Sequence, residues 1–512
     1  MKLRGADIVA RALARAGTRH VFALSGHHVM PVFDAALDAA LPIVHVRHEA
    51  AAVHMADAWG RLTGEPGIAL VSGGPGHANA VAALYTALAA ESPLVLLSGH
   101  APLDELGRGA FQEMGQAEMA APAAKASWTV RSAASLGEDL ARAMRMAGTG
   151  RPGPVHLSLP VDLLEAAVAV ELPAKEVFLP QLRQPPEALT EEILEQLRKA
   201  RKPLVLAGPA TGNSRGRALL RRFEEATGVP AIVMESPRGV NDPSLGLLAE
   251  VLAVADVVVL AGKRRDFSLR FGAAFANHCR VTEAEADVEH WIAPASRKRW
   301  PSSGWLDEVR SALAFRPAQW RDLSSAPEGP LHPAEVGRAV QKLLDAPQAV
   351  LVADGGEFGQ WAQATLSAPH RLINGPAGSI GAALPFAAAA KLAFPGSSVV
   401  AMLGDGTFGF HCSEIDTAVR CGLAYVAVVG NDACWNAEHQ IQLRTYGAAR
   451  ARGCELLPTR YDRVAAGLGA HGEHVGRAAE LAPALQRAAG SGRAACVNVM
   501  IERLPAPVFR RG

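Results

Sequence analysis

The chain has 512 residues, more than one hydrophobic core usually serves, so its length predicts two to four domains. Its 51 Lys and Arg residues balance 50 Asp and Glu residues, and a formal charge of +1 argues against a nucleic-acid-binding protein, which normally carries a basic surface. Hydrophobic residues make up 49% of the chain and charged residues 20%, which is typical of a packed globular protein.

The N-terminal third alternates short apolar strands with helices. The sequence predicts strands at 20–24, 43–46, 67–71, 93–98 and 155–159, and helices at 50–62 and 78–90. Strands that alternate with helices of this length indicate a parallel sheet with helices on both faces.

The remaining two thirds repeat this pattern twice. A proline-rich stretch, 172–186, is predicted to be a linker, and 300–330 is a second irregular stretch. The predicted helices are 191–199, 215–227, 333–344 and 381–394, and the predicted strands are 203–207, 231–234, 257–261, 349–353, 399–403 and 425–429. We therefore predict an α/β fold of three doubly wound parallel-sheet domains, at 1–170, 187–325 and 331–512.

The cysteines and the N-terminus indicate the compartment. The six cysteines lack C-x-x-C spacing, so neither a disulfide framework nor a zinc knuckle is indicated. The opening segment MKLRGADIVARALARAG has polar residues at helical spacing, unlike a signal peptide, and no uncharged apolar stretch of about 20 residues occurs. We expect a cytoplasmic protein that binds neither a membrane nor nucleic acid.

Acidic residues follow two successive strands of the last third. Gly404-Asp405-Gly406-Thr407 follows one predicted strand, and Gly430-Asn431-Asp432 follows the next. The carboxyl ends of parallel strands meet at one sheet edge, where ligands bind, and paired oxygen ligands suit Mg²⁺ that also binds phosphate. Glycines let backbone N–H groups approach a diphosphate. A simple tight turn is the alternative, but the acidic end of the neighbouring strand favours a binding site.

In the first third, Arg47-His48-Glu49 ends a strand and opens a helix. Glu49 could simply stabilise the helix N-terminus. An H-E-x-x-H zinc motif is excluded, because the next histidine is His54. The sequence also lacks a Walker A loop, a G-x-S-x-G elbow and a Rossmann fingerprint, so kinases, serine hydrolases and nicotinamide dehydrogenases are disfavoured.

Several ordered motifs point to one family. Phe22–Glu49 reads FALSGHHVMPVFDAALDAALPIVHVRHE, Ser72–Asn79 reads SGGPGHAN, Ala110–Glu113 reads AFQE, and Gly150–Pro160 reads GRPGPVHLSLP. Together with Gly378-Ser379-Ile380-Gly381 and Gly404–Asp432, these segments resemble the thiamine diphosphate (ThDP) enzymes related to acetolactate synthase, pyruvate decarboxylase and benzoylformate decarboxylase. The resemblance covers essentially the whole chain and is closest to the catalytic large subunit of acetolactate synthase.

The resemblance implies the cofactors and their ligands. Glu49 matches the glutamate that hydrogen-bonds a pyrimidine nitrogen of ThDP, and Ile380 matches the apolar residue beneath the cofactor; the alternative for Ile380 is a core residue at a helix start. The implied metal ligands are Asp405, Asp432 and the backbone carbonyl of Cys434, with Asn431 as an alternative. The implied cofactor-binding residues are Glu49, Gly74, Pro75, Asn79, Gly356, Glu357, Phe358, Gly378, Ser379, Ile380, Gly404, Asp405, Gly406, Thr407, Asp432, Cys434, Trp435 and Asn436.

The chain also departs from the family pattern. Asp432 replaces an asparagine, and His27-His28 replace small residues, so these imidazoles are candidate proton donors. The resemblance places Ile441 at the position where branched-chain synthases have a tryptophan. The candidate catalytic residues are Glu49, His27, His28, His77, Gln112 and Glu438.

The resemblance implies a ThDP- and Mg²⁺-dependent enzyme that cleaves or forms a C–C bond on a 2-oxo acid or acyl substrate. A 2-oxo acid decarboxylase, a 2-hydroxyacyl-CoA lyase and a noncatalytic relative are the alternatives. FAD is not expected, because the segment 235–240 is short. The basic set around Lys263-Arg264-Arg265 and Arg270 could meet a carboxylate or a CoA phosphate, or could be a solvated loop. A homodimer or homotetramer with the active site between subunits is implied.

Overall fold

The computed structural model describes residues 2–181, 184–285 and 288–509. It contains three parallel sheets, one within each predicted domain segment, which confirms the predicted α/β class. Two of the sheets have six strands and the middle one has four; a separate antiparallel pair of short strands is also present.

The N-terminal sheet has the strand order β3-β2-β4-β5-β7-β6, and its strands β4, β5 and β7 are buried along their whole length. Because these strands are apolar on both faces, helices must cover both faces of the sheet. The strands are β1 (Lys2–Arg4), β2 (Val21–Ala23), β3 (Ile43–His45), β4 (Gly67–Val71), β5 (Leu94–His100), β6 (Ala126–Thr129), β7 (Pro154–Pro160) and β8 (Ala167–Ala169). The helices are α1 (Gly5–Ala16), α2 (Met30–Asp38), α3 (Glu49–Thr63), α4 (Pro75–Ala89), α5 (Gln116–Ala120), α6 (Leu136–Gly148) and α7 (Val161–Glu165).

The central sheet has the order β10-β9-β11-β12, with all strands parallel. Its strands are β9 (Pro203–Ala207), β10 (Ala231–Val233), β11 (Val257–Ala261) and β12 (Arg280–Ala284). Its helices are α8 (Glu187–Lys199), α9 (Ser214–Thr227), α10 (Leu248–Val254), α11 (Glu289–Ser296) and α12 (Trp305–Leu313).

The C-terminal sheet has the order β14-β13-β15-β16-β18-β17, which is the strand order of the N-terminal sheet repeated. The strands are β13 (Val350–Ala353), β14 (His370–Ile373), β15 (Val399–Gly404), β16 (Val426–Asn431), β17 (His471–Val475) and β18 (Ala495–Met500). The helices are α13 (Pro333–Leu344), α14 (Gly356–Thr365), α15 (Ala383–Ala393), α16 (Asp405–His411), α17 (Glu414–Arg420), α18 (Asn436–Tyr446), α19 (Tyr461–Gly467) and α20 (Ala478–Gly490).

Two irregular stretches are more ordered than the sequence predicts. The stretch 300–330 contains α12, because Trp305, Val309 and Ala312 form one buried face and the Trp305 indole donates to the Pro203 carbonyl at 2.8 Å. The predicted linker 172–186 contributes Phe178, which is 3% exposed, to the N-terminal core. In both stretches, apolar residues anchor a segment whose prolines suggest a loop.

The chain forms two compact units. The first unit contains residues 1–182 together with Leu384–Pro395 and Ser413–Leu423, so that most of α15 and all of α17 belong to it. Within this unit the Phe386 ring lies edge-on to His54, with 5.8 Å between ring centroids. The second unit contains the rest of the chain, including the central and C-terminal sheets. None of the helices in the described residues is long and apolar enough to cross a bilayer.

Candidate active site

The predicted site residues fall into two groups, each at the carboxyl ends of one six-stranded sheet. We call Gly26–His28, Glu49, Gln112 and Ser72–Asn79 the N-terminal half-site. The C-terminal half-site consists of four segments, which are Asp354–Phe358, Gly378–Gly381, Gly404–Thr407 and Asp432–Asn436. Strand ends on either side of a strand-order reversal are the usual ligand-binding position of such sheets.

Glu49 is the first residue of α3, and its carboxylate is held in place. The Asn79 amide donates to its Oε2 at 3.0 Å. The preceding residue, His48, caps the helix by accepting the Ala50 N–H at 3.1 Å. The Arg47 N–H donates to Glu414 at 3.0 Å. Glu49 is half-buried, so its carboxylate is oriented and still accessible.

Two glycines in the loop beside Glu49 leave little room for side chains. A Cβ on Gly76 would lie 3.3 Å from Glu49 Oε1, and one on Gly74 would lie 2.6 Å from the Gln112 carbonyl. Gly74 also has φ of 58°, which favours glycine. Gln112 itself has φ of 56° and is half-buried against Gly74, and Pro75 begins α4. This loop is therefore built around the carboxylate and the predicted Gln112.

His27 and His28 occupy different environments. His27 is exposed, whereas His28 is 2% exposed, and its Nδ1 lies 3.4 Å from Ser72 Oγ. Burial lowers the pKa of His28, so its imidazole is neutral at pH 7. The exposed Phe111 ring lies beside both imidazoles. His28 thus faces the glycine-rich loop, and His27 faces solvent.

The structure places His77, a predicted catalytic residue, inside the N-terminal domain, away from the surface where a substrate could reach it. Its side chain is fully buried on α4, where Nδ1 lies 2.8 Å from Ser98 Oγ and its ring is 4.5 Å from that of His156. Burial lowers its pKa to about 4. The neutral His77 imidazole therefore packs as a core side chain and does not reach the surface of the half-site.

In the C-terminal half-site, Asp354 organises two segments. It is 2% exposed and accepts hydrogen bonds from the backbone N–H groups of Gly355, Gly381 and Ala383 at 2.7–3.1 Å. Burial raises its pKa to about 6. Asp354 therefore ties the loop after β13 to the turn that carries Ile380.

Ile380 precedes α15 by three residues and is only half-buried, so it is not the core isoleucine of a helix start. A Cβ on Gly355 would lie 2.6 Å from its Cγ2, which shows that the isoleucine rests on a glycine. Gly378, with φ of 70°, and Ser379 form the turn before it. The bulky side chain thus projects from a turn fixed by Asp354.

The residues around Gly356 differ in what they offer a ligand. Gly356 begins α14 with φ of 82°. Glu357 is 6% exposed and pairs with Arg238 at 3.2 Å, whereas the Phe358 ring belongs to the core and packs against Gly430. The Phe358 side chain therefore faces the interior, and only its backbone remains for the predicted cofactor contact.

Asp405 lies at the start of α16, after β15. Gly404 of β15 pairs with Gly430 of β16, so the residues that follow these two strands are neighbours. Asp405 is 3% exposed; its Oδ1 accepts the Gly406 N–H at 2.9 Å and its Oδ2 accepts the Cys434 N–H at 3.2 Å. Thr407 donates to the Gly404 carbonyl at 3.0 Å, which secures the turn.

Asp432 lies beside Asp405, and the charge of Asp405 disfavours ionisation of Asp432. Burial raises the pKa of Asp405 to about 6, and burial together with the charge of Asp405 raises the pKa of Asp432 to about 7. Asn431 is fully buried, and its amide donates to Thr459 and Asn498. The Asn431 side chain is therefore engaged within the chain, whereas Asp432 lies beside Asp405.

The segment after Asp432 has distinct roles. Cys434 forms an antiparallel bridge with Glu455. On either side of this bridge, the Leu456 N–H donates to the Ala433 carbonyl at 2.8 Å and the Trp435 N–H donates to the Cys454 carbonyl at 2.7 Å. The Cys434 N–H donates instead to Asp405, and burial raises the pKa of the Cys434 thiol to about 12.

Trp435, Asn436 and Glu438 follow Cys434 and have different surroundings. The Trp435 ring occupies the space next to Gly406, where a Cβ would lie 2.7 Å away. The Asn436 amide donates to the Leu504 carbonyl at 2.9 Å, and Glu438 is exposed on α18. The Asn436 amide nitrogen is thus engaged with the chain itself, while Glu438 remains open to solvent.

Two residues that organise the N-terminal half-site were not predicted from the sequence. Gln116 accepts the Gly74 N–H at 2.8 Å and donates to Gly99 and Ser158, and Glu414 accepts the Arg47 N–H. No sequence signal marks these two residues, because their partners are distant in the chain.

Two family models match the chain in the regions of the two half-sites. "Thiamine pyrophosphate enzyme, N-terminal TPP binding domain" matches residues 3–119, and "Thiamine pyrophosphate enzyme, C-terminal TPP binding domain" matches residues 354–499. The first range contains Glu49 and the glycine-rich loop, and the second contains Asp354, Asp405 and Asp432.

Curated relatives match over nearly the whole chain. An acetolactate synthase large subunit of Mycobacterium tuberculosis is 32% identical over 527 residues, covering 97% of this chain and 95% of the relative. The 2-hydroxyacyl-CoA lyase 2 of Homo sapiens is 30% identical over 572 residues, covering 98% of this chain and 90% of the relative. With its two matched domains and its two strand-end half-sites, the chain belongs to the thiamine pyrophosphate enzyme family.

Proposed function

We propose that this protein uses ThDP and Mg²⁺ to cleave or form a C–C bond next to the carbonyl of a 2-oxo acid, in the manner of an acetolactate synthase. The observation that carries the proposal is the pair Asp405 and Asp432, two adjacent carboxyl groups at the strand ends of a matched TPP binding domain. Similarity to acetolactate synthases over 97% of the chain supports the reaction class.

The C-terminal half-site fits a divalent cation. The charge of Asp405 raises the pKa of Asp432 although Arg503 lies nearby, and a cation bound between the two carboxylates would remove that repulsion. The family resemblance implies the Cys434 carbonyl as the third ligand, and the Cys434 N–H donates to Asp405 in the same segment. At Gly404 nothing lies within 4 Å of the Cβ position, which leaves the backbone there open for a diphosphate.

The N-terminal half-site fits the other end of the cofactor. ThDP supplies, when bound, a nucleophilic carbon and an electron sink for the charge released by C–C cleavage. Glu49 would hold a proton shared with a pyrimidine nitrogen, and Asn79 keeps Oε2 in place for that contact. Ile380 would support the cofactor from below, and His28, which is neutral, would relay protons near the reacting carbon.

A 2-oxo acid decarboxylase or a 2-hydroxyacyl-CoA lyase is the second candidate. The imidazoles of His27 and His28 favour it, because protonation of the bound product releases a free aldehyde. The lyase relative in Homo sapiens, matched over 98% of this chain, also supports it.

Product analysis separates these candidates. The holoenzyme is incubated with pyruvate, ThDP and Mg²⁺; acetolactate supports the synthase, and acetaldehyde supports the decarboxylase. Cleavage of a 2-hydroxyacyl-CoA to an aldehyde and a formyl thioester supports the lyase. Glu49→Gln should abolish each activity, whereas Glu65→Gln, which changes an exposed glutamate near the end of the same helix, should not. Turnover by Glu49→Gln at the wild-type rate would overturn the proposal.

We also infer a cytoplasmic homodimer or homotetramer in which Glu49 of one subunit and Asp405 of its partner serve one cofactor. The family resemblance supports this arrangement, and sedimentation analysis tests it. FAD is not expected, and absorption near the flavin bands of the purified protein checks this.

A further inference from the structure

Three side chains of types that can ligate a metal meet at the edge of the C-terminal half-site, to which one of them, Cys434, belongs. The ligand atoms of Cys434, His439 and Glu455 all lie within 4.8 Å of one another. Throughout residues 2–181, 184–285 and 288–509, no other group of three His, Cys, Asp or Glu side chains is this close. The cluster combines a thiol, an imidazole and a carboxylate.

The backbone brings these side chains together. Cys434 and Glu455 are direct cross-strand partners in an antiparallel bridge, so their side chains lie on the same face. His439 lies in the first turns of α18, and its N–H donates to the Trp435 carbonyl at 3.0 Å. Both contacts bring the three residues together without any metal.

The chemistry of the cluster selects a different cation from the one proposed for Asp405 and Asp432. Mg²⁺ prefers carboxylate and carbonyl oxygens, whereas a thiolate and an imidazole favour Zn²⁺ and related thiophilic ions. We propose that Cys434 Sγ, His439 and Glu455 form a binding site for a thiophilic divalent cation, for which Zn²⁺ and Cd²⁺ are the probes. Binding releases the Cys434 thiol proton to solvent and transfers no electron.

The geometry sets limits on this site. Bond lengths of about 2.0–2.3 Å in a tetrahedral zinc site place the ligand atoms about 3.5 Å apart, so the cluster must contract by about 1 Å. Arg503 already pairs with Glu455, at 2.8 Å and 3.1 Å, and must release it. The site should therefore bind Zn²⁺ more weakly than a structural zinc site does.

Metal binding should also inhibit the enzyme, a consequence that rests on the proposed function. Cys434 donates its N–H to Asp405, and its carbonyl is a proposed Mg²⁺ ligand. Contraction around Sγ moves the same residue, so the two metal sites cannot be independent.

The test uses the full chain loaded with ThDP and Mg²⁺ and follows the ultraviolet absorption of a cadmium–thiolate bond during Cd²⁺ titration. We expect saturation at one Cd²⁺ per chain, no band in Cys434→Ser, and an unchanged band in the control Cys421→Ser, which alters an exposed cysteine. His439→Gln and Glu455→Gln should each weaken binding by about tenfold or more. Circular dichroism confirms that each variant is folded.

A band that persists in Cys434→Ser, or no saturable band in the wild type, would overturn the site. For the inhibition, His439→Gln should keep the basal activity and require about tenfold more Zn²⁺ for the same loss. Equal sensitivity of His439→Gln and wild type would overturn the coupling. Failure of the proposed function would show instead as no turnover with an intact cadmium band.

Discussion

The paired carboxyl groups of the C-terminal half-site make Mg²⁺ binding depend on pH. Without metal, the pKa of Asp405 is about 6 and that of Asp432 about 7, and Mg²⁺ requires both groups to be ionised. Because these pKa values are raised, protons compete with the metal as the pH falls through 7 and then 6. Binding therefore strengthens with rising pH and levels off above pH 8.

The expected size follows from the two pKa values. At pH 6.5 about three quarters of Asp432 and about one quarter of Asp405 are protonated, so each Mg²⁺ should release about one proton, against about 0.1 at pH 8. Between pH 8 and pH 6 the affinity should fall about twentyfold. Asp432→Asn leaves only Asp405 to titrate, so its release at pH 6.5 should be about 0.25 proton and its affinity loss about twofold.

Isothermal calorimetry in buffers of different ionisation enthalpy, with saturating ThDP, measures the released protons directly. Asp432→Asn is a conservative control, since it keeps an oxygen ligand of the same size. Proton release near zero at pH 6.5 in the wild type, or the same release in both proteins, would refute the assignment of these carboxylates to the metal.

Three further predictions concern individual side chains. His77 has a pKa of about 4, below that of a histidine in the unfolded chain, so its stabilising effect is complete above pH 6.5 and is lost as the pH falls towards 4. Between pH 8 and pH 5 this effect should account for about 2 kcal/mol of the free energy of unfolding. Urea titration should therefore show that His77→Gln loses less stability than the wild type over this pH range. Gly76→Ala places a Cβ 3.3 Å from Glu49 Oε1, and the displaced carboxylate should lower kcat by about tenfold or more with little change in Tm. The control Gly396→Ala adds a Cβ where nothing lies within 4 Å, and it should leave kcat and Tm unchanged. Asp354→Asn places an amide group against backbone N–H donors, so it should cost about 1–3 kcal/mol of stability and weaken ThDP binding. Thermal shift with and without ThDP measures both effects. An unchanged ThDP affinity would show that the Ile380 turn does not depend on Asp354.

The sequence predicts several buried parallel strands well, although the buried strand β18 was not predicted. The predicted bounds of β4, β9 and β11 agree with the structure, because these strands are short apolar runs between turn residues. The edge strand β17 reads HGEHV and was missed, since a half-exposed strand at the edge needs little apolar sequence. Helix α12 was missed because its buried face has only three residues, flanked by proline and serine.

The site residues were predictable where strand-end position and residue chemistry coincide. Asp405 and Asp432 follow neighbouring strands and lie together, as expected. The environments of His28 and His77 could not be predicted, because both are set by side chains packed from other elements. The same holds for Gln116, whose three partners lie in separate loops and strands.

The composition of the first compact unit has a consequence for synthesis on the ribosome. Its last segments, Leu384–Pro395 and Ser413–Leu423, emerge long after residue 182, and they supply Phe386 against His54 and Glu414 under the Arg47 N–H. At about 5–20 residues per second, this delay lasts on the order of 10–50 s. During that interval the nascent N-terminal domain lacks part of its own interior, so a truncated chain ending near residue 182 should need chaperone protection, and Glu49 should reach its final position only late in translation.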